Sequence, residues 1–215
     1  MTERLDKWVD LYENNESEFR EIKIGDPEYP YLLKNVKDPP KIIFARGNTD
    51  LLKKPSIAIV GTRKPSEQGK RFTEKIAKFC VDKGFTVVSG FALGVDTVAI
   101  KSALSSGGKV IAVLPTIAKV VPESNRELAD EILKQDGLLI AENDSRLVRN
   151  YMFIKRNRII SGISMCVVVV ETGLEGGTMH TVKYAKEQGR MIIVADLNAD
   201  GNRKLIEEGY PVFRL

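Results

Sequence analysis

The chain has 215 residues, with 33 lysines and arginines against 29 acidic side chains, and its formal charge is +4. Apolar residues make up 43% and charged residues 29%, a balance typical of a folded globular protein and not of a disordered one. Apolar runs fall short of the roughly 18 residues of a membrane span, and the acidic N-terminus is unlike a signal peptide. We therefore expect a cytoplasmic protein without membrane contact.

Two cysteines and one histidine narrow the possible chemistry. Cys80 and Cys166 lie within apolar runs, so we expect reduced core residues and not a disulfide. The single histidine, His180, argues against His-rich zinc sites and His-dependent catalytic triads, and we interpret it as a polar residue at a helix edge. The composition predicts no cofactor, no metal site and no catalytic residues.

The first 50 residues differ in pattern from the rest of the chain. Apolar residues spaced as on a helix between Leu5 and Tyr12 predict a short amphipathic helix, and a proline-containing extended segment follows. Ile42–Ala45 predicts a strand at the sheet edge. We therefore assign 1–50 to a short helical and extended N-terminal segment and 51–215 to the main domain. The first part carries 11 acidic and 8 basic side chains, so the main domain is the basic part.

Six short apolar runs rich in β-branched residues follow, at intervals that fit one strand and one crossover helix. Their nearly continuous hydrophobicity is typical of parallel strands covered on both faces. The runs are Ile57–Gly61, Phe85–Ser89, Val110–Leu114, Leu138–Ala141, Cys166–Glu171 and Met191–Ala195. The pattern predicts a doubly wound α/β fold, mostly parallel, with helices on both faces.

Glycines mark the expected ends of the intervening helices, at Gly84, Gly107–Gly108, Gly137 and Gly189. The C-terminal residues predict a short helix and a last edge strand around Val212. An open strand edge can pair with a second copy, so a homodimer is the expected assembly.

In doubly wound sheets, ligands bind beyond the carboxyl ends of the strands. The first such loop holds Gly61, Thr62 and Arg63, followed by Pro65 and Ser66, which suit a helix start. A tight turn, a helix N-terminus and an arginine together favour a phosphate site. The alternative is a plain turn with a surface arginine.

The loop after the second strand contains Ser89, Gly90, Gly94 and Asp96. Glycines between a strand and a helix let backbone N–H groups surround a phosphate. Asp96 either caps the next helix, which we favour because Asp is a preferred N-cap, or bonds a sugar hydroxyl.

The loop after the fifth strand places Gly176, Gly177 and Thr178 at the start of another helix. A helix N-terminus of this kind can hold an anion. The alternative is a flexible loop in which Thr178 caps the helix.

A basic segment precedes the fifth strand and contains the aromatic residue Phe153 among its cations. The segment is a solvated basic helix or a surface for single-stranded nucleic acid, with Phe153 as a base-stacking residue or as a core residue. If it meets the basic residues between Arg63 and Arg71 in space, the two form a phosphate-attracting patch. Its polar candidates are Arg146, Arg149, Lys155, Arg156, Asn157 and Arg158.

These motifs together resemble the DprA/Smf family of DNA-processing proteins over roughly residues 29–215. The resemblance is carried by SIAIVGTRKPSEQGK, VVSGFALGVDTVAI, FIKRNRIISGIS and VVVVETGLEGGTMHTVKYAKEQGR. It implies an extended Rossmann-like domain over 51–215 that binds single-stranded DNA and delivers it to a RecA-type recombinase. It also implies that Arg63 and the Ser89–Gly90 loop face DNA phosphates, and that Phe153, Lys155, Arg156 and Asn157 form the other DNA-contacting motif.

The chain departs from the family pattern at two motifs. The family's Tyr-Pro is Val121-Pro122 here, and its Ser-Gly-Ser is replaced by Glu175-Gly176-Gly177-Thr178. We expect a short form without the C-terminal winged-helix-like domain and with only a remnant of the N-terminal helical domain.

The alternative function is that of the LOG or lysine-decarboxylase-like phosphoribohydrolases, which share the fold and cleave nucleoside monophosphates. Their motif Pro-Gly-Gly-x-Gly-Thr-x-x-Glu is only partly present, because Val182 or Lys183 stands near the position of the acid. Glu171 or Asp96 could take its place. We therefore expect a DNA-binding protein and not an enzyme.

Overall fold

The computed structural model describes residues 19–214, and the helix predicted between Leu5 and Tyr12 lies outside them. The described residues form nine strands in a single sheet. The strands are β1 Arg20–Lys23, β2 Ile42–Gly47, β3 Ser56–Val60, β4 Thr86–Ser89, β5 Val110–Val113, β6 Leu138–Ala141, β7 Cys166–Val169, β8 Met191–Ala195 and β9 Val212–Phe213. All six predicted main-domain strands are present, with ends that shift by a residue or two.

Eight α-helices connect the strands of the described part. They are α1 Tyr31–Lys34, α2 Glu67–Asp82, α3 Val95–Ser105, α4 Arg126–Lys134, α5 Asn150–Lys155, α6 Asn157–Ile163, α7 Gly177–Glu187 and α8 Asp200–Glu207. Thr49–Lys53 and Glu123–Asn125 add single 3₁₀ turns. The basic segment that we predicted as one helix is thus divided into α5 and α6, which meet at Arg156.

The strand order is β1-β2-β6-β5-β4-β3-β7-β8-β9. The strands from β3 to β9 pair in parallel, which confirms the doubly wound α/β prediction. We predicted β2 at the sheet edge, and this is wrong, because β1 pairs antiparallel with the side of β2 that faces away from β6. The domain boundary near residue 50 stays a prediction. The two strands that precede it, β1 and β2, belong to the same sheet as the other strands.

The helix ends follow from local sequence in most places. The Ser66 hydroxyl accepts the Gly69 N–H at 3.0 Å and caps α2, as predicted. Gly84 and Gly189 have positive φ after their helices, a conformation that glycine adopts at little cost. After α4 the left-handed residue is Asp136, with φ 59°, and not the predicted Gly137.

The core has two layers, one on each face of the sheet, and both cysteines belong to the layer that contains α2 and α3. Both thiols are buried and unpaired, as predicted. Burial raises the pKa of Cys80 to about 12 and that of Cys166 to about 11. Both thiols are therefore protonated at neutral pH.

Candidate functional site

The chain leaves β3 toward β4 on one side, and β7 lies on the other side of β3, so the strand order reverses between β3 and β7. A cavity of about 880 Å³ opens at their carboxyl ends. Its walls come from the β3–α2 loop, the β4–α3 loop, α5 with α6, and the β7–α7 loop with the first turn of α7. We call it the switch-point cavity, and it is where a doubly wound sheet binds ligands.

Glu171 holds the β3–α2 loop in place. Its carboxylate accepts the Ser66 N–H at 2.9 Å and the Ser66 hydroxyl at 3.0 Å, and its carbonyl accepts the Thr62 N–H at 2.7 Å. Gly61, Thr62 and Arg63 all line the cavity, and Arg63 is exposed. The loop thus presents a permanent positive charge on a fixed backbone.

The β4–α3 loop packs closely around its neighbours. Phe91, fully buried, takes a left-handed φ of 63°, a conformation uncommon outside glycine. Gly94 has φ 79° and lies so close to the Arg63 backbone that a Cβ would stand 2.5 Å from its carbonyl carbon. Gly90 lines the cavity, whereas Gly94 lies outside its lining and brings the two loops together.

Ser89 does not reach the cavity. It is fully buried, and its hydroxyl donates to the Ile59 carbonyl at 2.8 Å. The phosphate contact that the pattern predicted for Ser89 is therefore wrong, because no ligand atom can approach it. Its role is to join β4 to β3.

Asp96 is not the cap of α3, contrary to our preferred interpretation. The N-cap residue is Gly94, and Asp96 is the second residue of the helix, with 5% of its surface exposed. Its carboxylate accepts the Ala92 N–H at 3.2 Å and so uses a loop donor that we had expected to face a phosphate. Burial raises the pKa of Asp96, and the nearby Arg156 charge opposes that rise.

Arg156 lies on the cavity floor with 6% of its surface exposed. Its Nε is buried and has no hydrogen-bond partner among the described residues. Burial lowers the pKa of Arg156 to about 10, and Asp96 limits that fall, so the guanidinium is charged at neutral pH. Arg156 is therefore not part of a solvated basic helix; it is a buried cation with an unused donor, which is costly without a ligand.

Gly90 makes room for this guanidinium. A Cβ built on Gly90 would overlap Arg156 Nη1 and stand 2.5 Å from its Cζ. The Gly90 backbone is not left-handed. Glycine is therefore needed at this position for the close approach of the guanidinium and not for its conformational freedom.

The other basic residues of the segment do not gather in the cavity. Arg158, 3% exposed, donates to Glu142 at 2.6 Å and to Asp38 at 3.1 Å, and Lys155 pairs with Glu142 at 3.2 Å. Arg146 and Arg149 are exposed outside the cavity lining. Of the predicted patch, Arg63, Lys64 and Arg156 line the cavity, and Arg63 is close enough to lower the pKa of Arg156.

Phe153 lies half-buried in the cavity wall. With Leu93 and Ile154, exposed by 46% and 41%, it forms an apolar rim above the charged floor. The structure therefore places Phe153 where a base could reach it, although part of the ring packs inside the protein.

The N-terminus of α7 opens into the same cavity. Gly176 is its N-cap with φ 115°, and a Cβ on Gly176 or Gly177 would meet nothing within 4 Å. Asn157 Nδ2 donates to the Gly177 carbonyl at 3.0 Å and fixes the start of the helix. Thr178 is buried one position later and lines the cavity, so the alternative in which it caps α7 is wrong.

Several cavity residues had no signal in the sequence that could have identified them. His180 lies on the cavity wall in the first turn of α7, and Asn150, the first residue of α5, lines the same cavity. Val121 and Pro122, noted only as a departure from a family motif, also line it. The helical period predicts that His180 lies one turn after Gly177, but it does not predict that His180 faces the cavity.

The arrangement suits an anion attached to apolar groups. Two guanidinium groups and an open helix N-terminus attract negative charge, and the apolar rim accepts flat rings. Within residues 19–214, no three His, Cys, Asp or Glu side chains are grouped to hold a metal ion. In the same range no helix has the length and hydrophobicity needed to cross a membrane.

Comparison with known proteins identifies the family. The model of the DNA recombination-mediator protein A family matches residues 20–213. The chain is 37% identical to DNA processing protein DprA of Streptococcus pneumoniae, over 89% of this chain and 70% of that protein. It is 36% identical to DprA of Bacillus subtilis, over 87% of this chain and 66% of that protein.

Solved structures agree. The DprA structure from S. pneumoniae superimposes with a TM-score of 0.84 at 34% identity, covering 95% of this chain and 74% of that one. The Helicobacter pylori protein, described by its single-stranded DNA binding mode, gives a TM-score of 0.81 at 30% identity, covering 91% and 92%. The resemblance drawn from the motifs is confirmed: the chain belongs to the DNA recombination-mediator protein A family, whose members are called DprA or Smf.

Proposed function

We propose that this chain binds single-stranded DNA, with the sugar-phosphate backbone in the switch-point cavity. The observation that carries the proposal is Arg156, a cation 6% exposed whose Nε has no partner among the described residues. A phosphate oxygen would satisfy that donor and offset the cost of burying the charge. Arg63 lies on the opposite loop, where it can contact the same or an adjacent phosphate.

Single strands suit the cavity better than duplex. The apolar rim of Leu93, Phe153 and Ile154 surrounds the charged floor, and paired bases would turn their ring faces away from it. We expect little sequence preference, because contacts to the phosphate backbone carry no direct sequence information. The H. pylori relative, 30% identical, is described as binding single-stranded DNA.

We infer that binding takes place without catalysis. The two acids that could replace the phosphoribohydrolase glutamate are already engaged, Glu171 by Ser66 and Asp96 by Ala92. Val182, near the expected acid position, is buried core. Incubation with AMP and CMP, followed by chromatography, should yield no free base, and turnover would establish the alternative function.

The wider role belongs to the same proposal. Delivery of DNA to a RecA-type recombinase is the role that the family resemblance implies, and this chain spans 70% and 66% of the two DprA relatives above. A homodimer is supported by the short β9 strand, which leaves its outer edge unpaired within the described sheet. The two buried, unpaired cysteines fit a cytoplasmic location.

The proposal is tested by measuring fluorescence anisotropy of labelled oligo-dT and of a duplex of equal length at two salt concentrations. We expect tighter binding to oligo-dT, and strong weakening of that binding by salt because phosphate contacts release counterions. Tighter duplex binding at matched salt, or binding indifferent to salt, would contradict it.

A further inference from the structure

His180 is placed where a proton would change the charge of the switch-point cavity. It lies in the first turn of α7, half-buried, and lines the cavity together with Gly177 and Thr181 of the same helix. It is the chain's single histidine. Imidazole is the side chain that changes charge between about pH 5 and pH 8.

The charged groups that face the cavity with His180 come from four separate elements. Arg63 and Lys64 lie on the β3–α2 loop, Arg156 lies between α5 and α6, Asp96 is on α3, and Glu175 is on the β7–α7 loop. Three permanent cations therefore face two acids in the absence of a ligand.

The elements packed directly against α7 add few titratable groups. α5 contributes the exposed Tyr151, and α5 and α6 contribute Lys155 and Arg158, which are both paired with Glu142 away from the cavity lining. The other ionisable side chains of α7 also lie outside the lining; they are Lys183, Tyr184, Lys186 and Glu187. β7 contributes Cys166, whose thiol has a pKa raised to about 11 by burial. β8 carries no ionisable side chain.

We propose that His180 is a protonation-dependent phosphate contact, so that the chain binds single-stranded DNA more tightly in mildly acidic solution. The inference rests on the proposed function, because it requires a phosphate in this cavity. A phosphate bound in the cavity would favour the protonated, cationic imidazole over the neutral one, because opposite charges attract.

Thermodynamic linkage sets the direction of the effect. If DNA raises the proton affinity of His180, protonation raises the affinity for DNA by the same factor. A rise of one pKa unit on binding corresponds to a limiting factor of about 10. We expect oligo-dT binding to tighten about 3- to 10-fold between about pH 8 and about pH 5.5.

Asp96 and Glu175, the two acids of the cavity lining, could produce a change of the same direction, because protonation of either would also make the cavity more positive. Burial raises the pKa of Asp96. Substitution distinguishes the three groups. In His180→Gln the pH dependence should disappear, whereas in Asp96→Asn and in Glu175→Gln it should persist.

The experiment measures anisotropy of a 5′-hydroxyl oligo-dT, which lacks a titrating terminal phosphate, across this pH range at constant ionic strength. His180→Arg serves as the matched variant, since a permanent charge should bind without pH dependence. In the wild type, the imidazole Hε1 resonance is followed by NMR with and without oligo-dT. With one histidine the assignment is unambiguous, and its titration midpoint should rise when DNA is bound.

The outcomes separate this inference from the proposed function. Tight, salt-sensitive oligo-dT binding that is independent of pH would overturn the role of His180 and leave single-strand binding intact. Wild-type pH dependence in His180→Gln, or an imidazole midpoint unmoved by DNA, would also overturn it. Absence of oligo-dT binding at every pH would overturn the proposed function and the inference with it.

Discussion

Gly90 and Arg156 provide a direct test of the cavity floor. A Cβ at position 90 would stand 2.5 Å from Arg156 Cζ and 2.6 Å from Nη2, whereas ordinary van der Waals contact begins at 3.4 Å. In Gly90→Ala the guanidinium must therefore retreat by about 1 Å or more from its position, because atoms cannot overlap. The Gly90 backbone is not left-handed, so alanine itself fits the chain conformation.

The expected loss is that of one charge-assisted hydrogen bond. Such a bond contributes about 1.5–3 kcal/mol, which corresponds to roughly 10- to 150-fold weaker oligo-dT binding. Anisotropy titrations at fixed salt measure the affinity, and circular dichroism melting checks the fold. Gly25→Ala is the matched control, because a Cβ there meets nothing within 4 Å and the turn is remote from the cavity lining.

A double-mutant cycle assigns the effect to the pair. In an Arg156→Gln background, Gly90→Ala should cost little further affinity, because the displaced group is already gone. Wild-type affinity in a folded Gly90→Ala protein would refute our placement of phosphate on Arg156. Equal losses from Gly90→Ala in both backgrounds would show that Gly90 acts through something other than the guanidinium.

Three further predictions concern the neighbouring residues. Arg63→Ala should weaken oligo-dT binding by about 1–3 kcal/mol while the melting temperature barely moves, since Arg63 is exposed; a collapse of stability would make it a structural residue. Phe153→Leu should cost about 1–3 kcal/mol of binding through lost stacking with an unchanged salt slope, and unaltered affinity would make Phe153 a core residue. Arg158→Ala should lower the free energy of unfolding in urea by about 1.5–3 kcal/mol, because Glu142 loses its 2.6 Å partner and keeps only Lys155; unchanged stability would contradict that role.

The order of strands and helices was readable from local pattern. Six β-branched runs separated by amphipathic segments specify parallel strands with crossover helices, because each element buries its own apolar residues at its own period. The start of α2 after Ser66 was equally local, since one hydroxyl satisfies one N–H of the first turn. The sequence also determined which loops reach the ligand end of the sheet, because parallel strands all end on the same side.

The tertiary structure alone decided which charges face a ligand. Arg156 and Arg158 stand two positions apart in one basic run, yet Arg156 lies on the cavity floor and Arg158 is neutralised by Glu142 and Asp38. Their difference depends on partners 16 and 120 residues away in the chain, which no local period encodes. The same holds for Asp96, whose carboxylate turns to the Ala92 N–H, and for His180, which the packing of α7 brings into the cavity wall. Burial and long-range pairing set the energy of a charged group, and both exist only once the chain is folded.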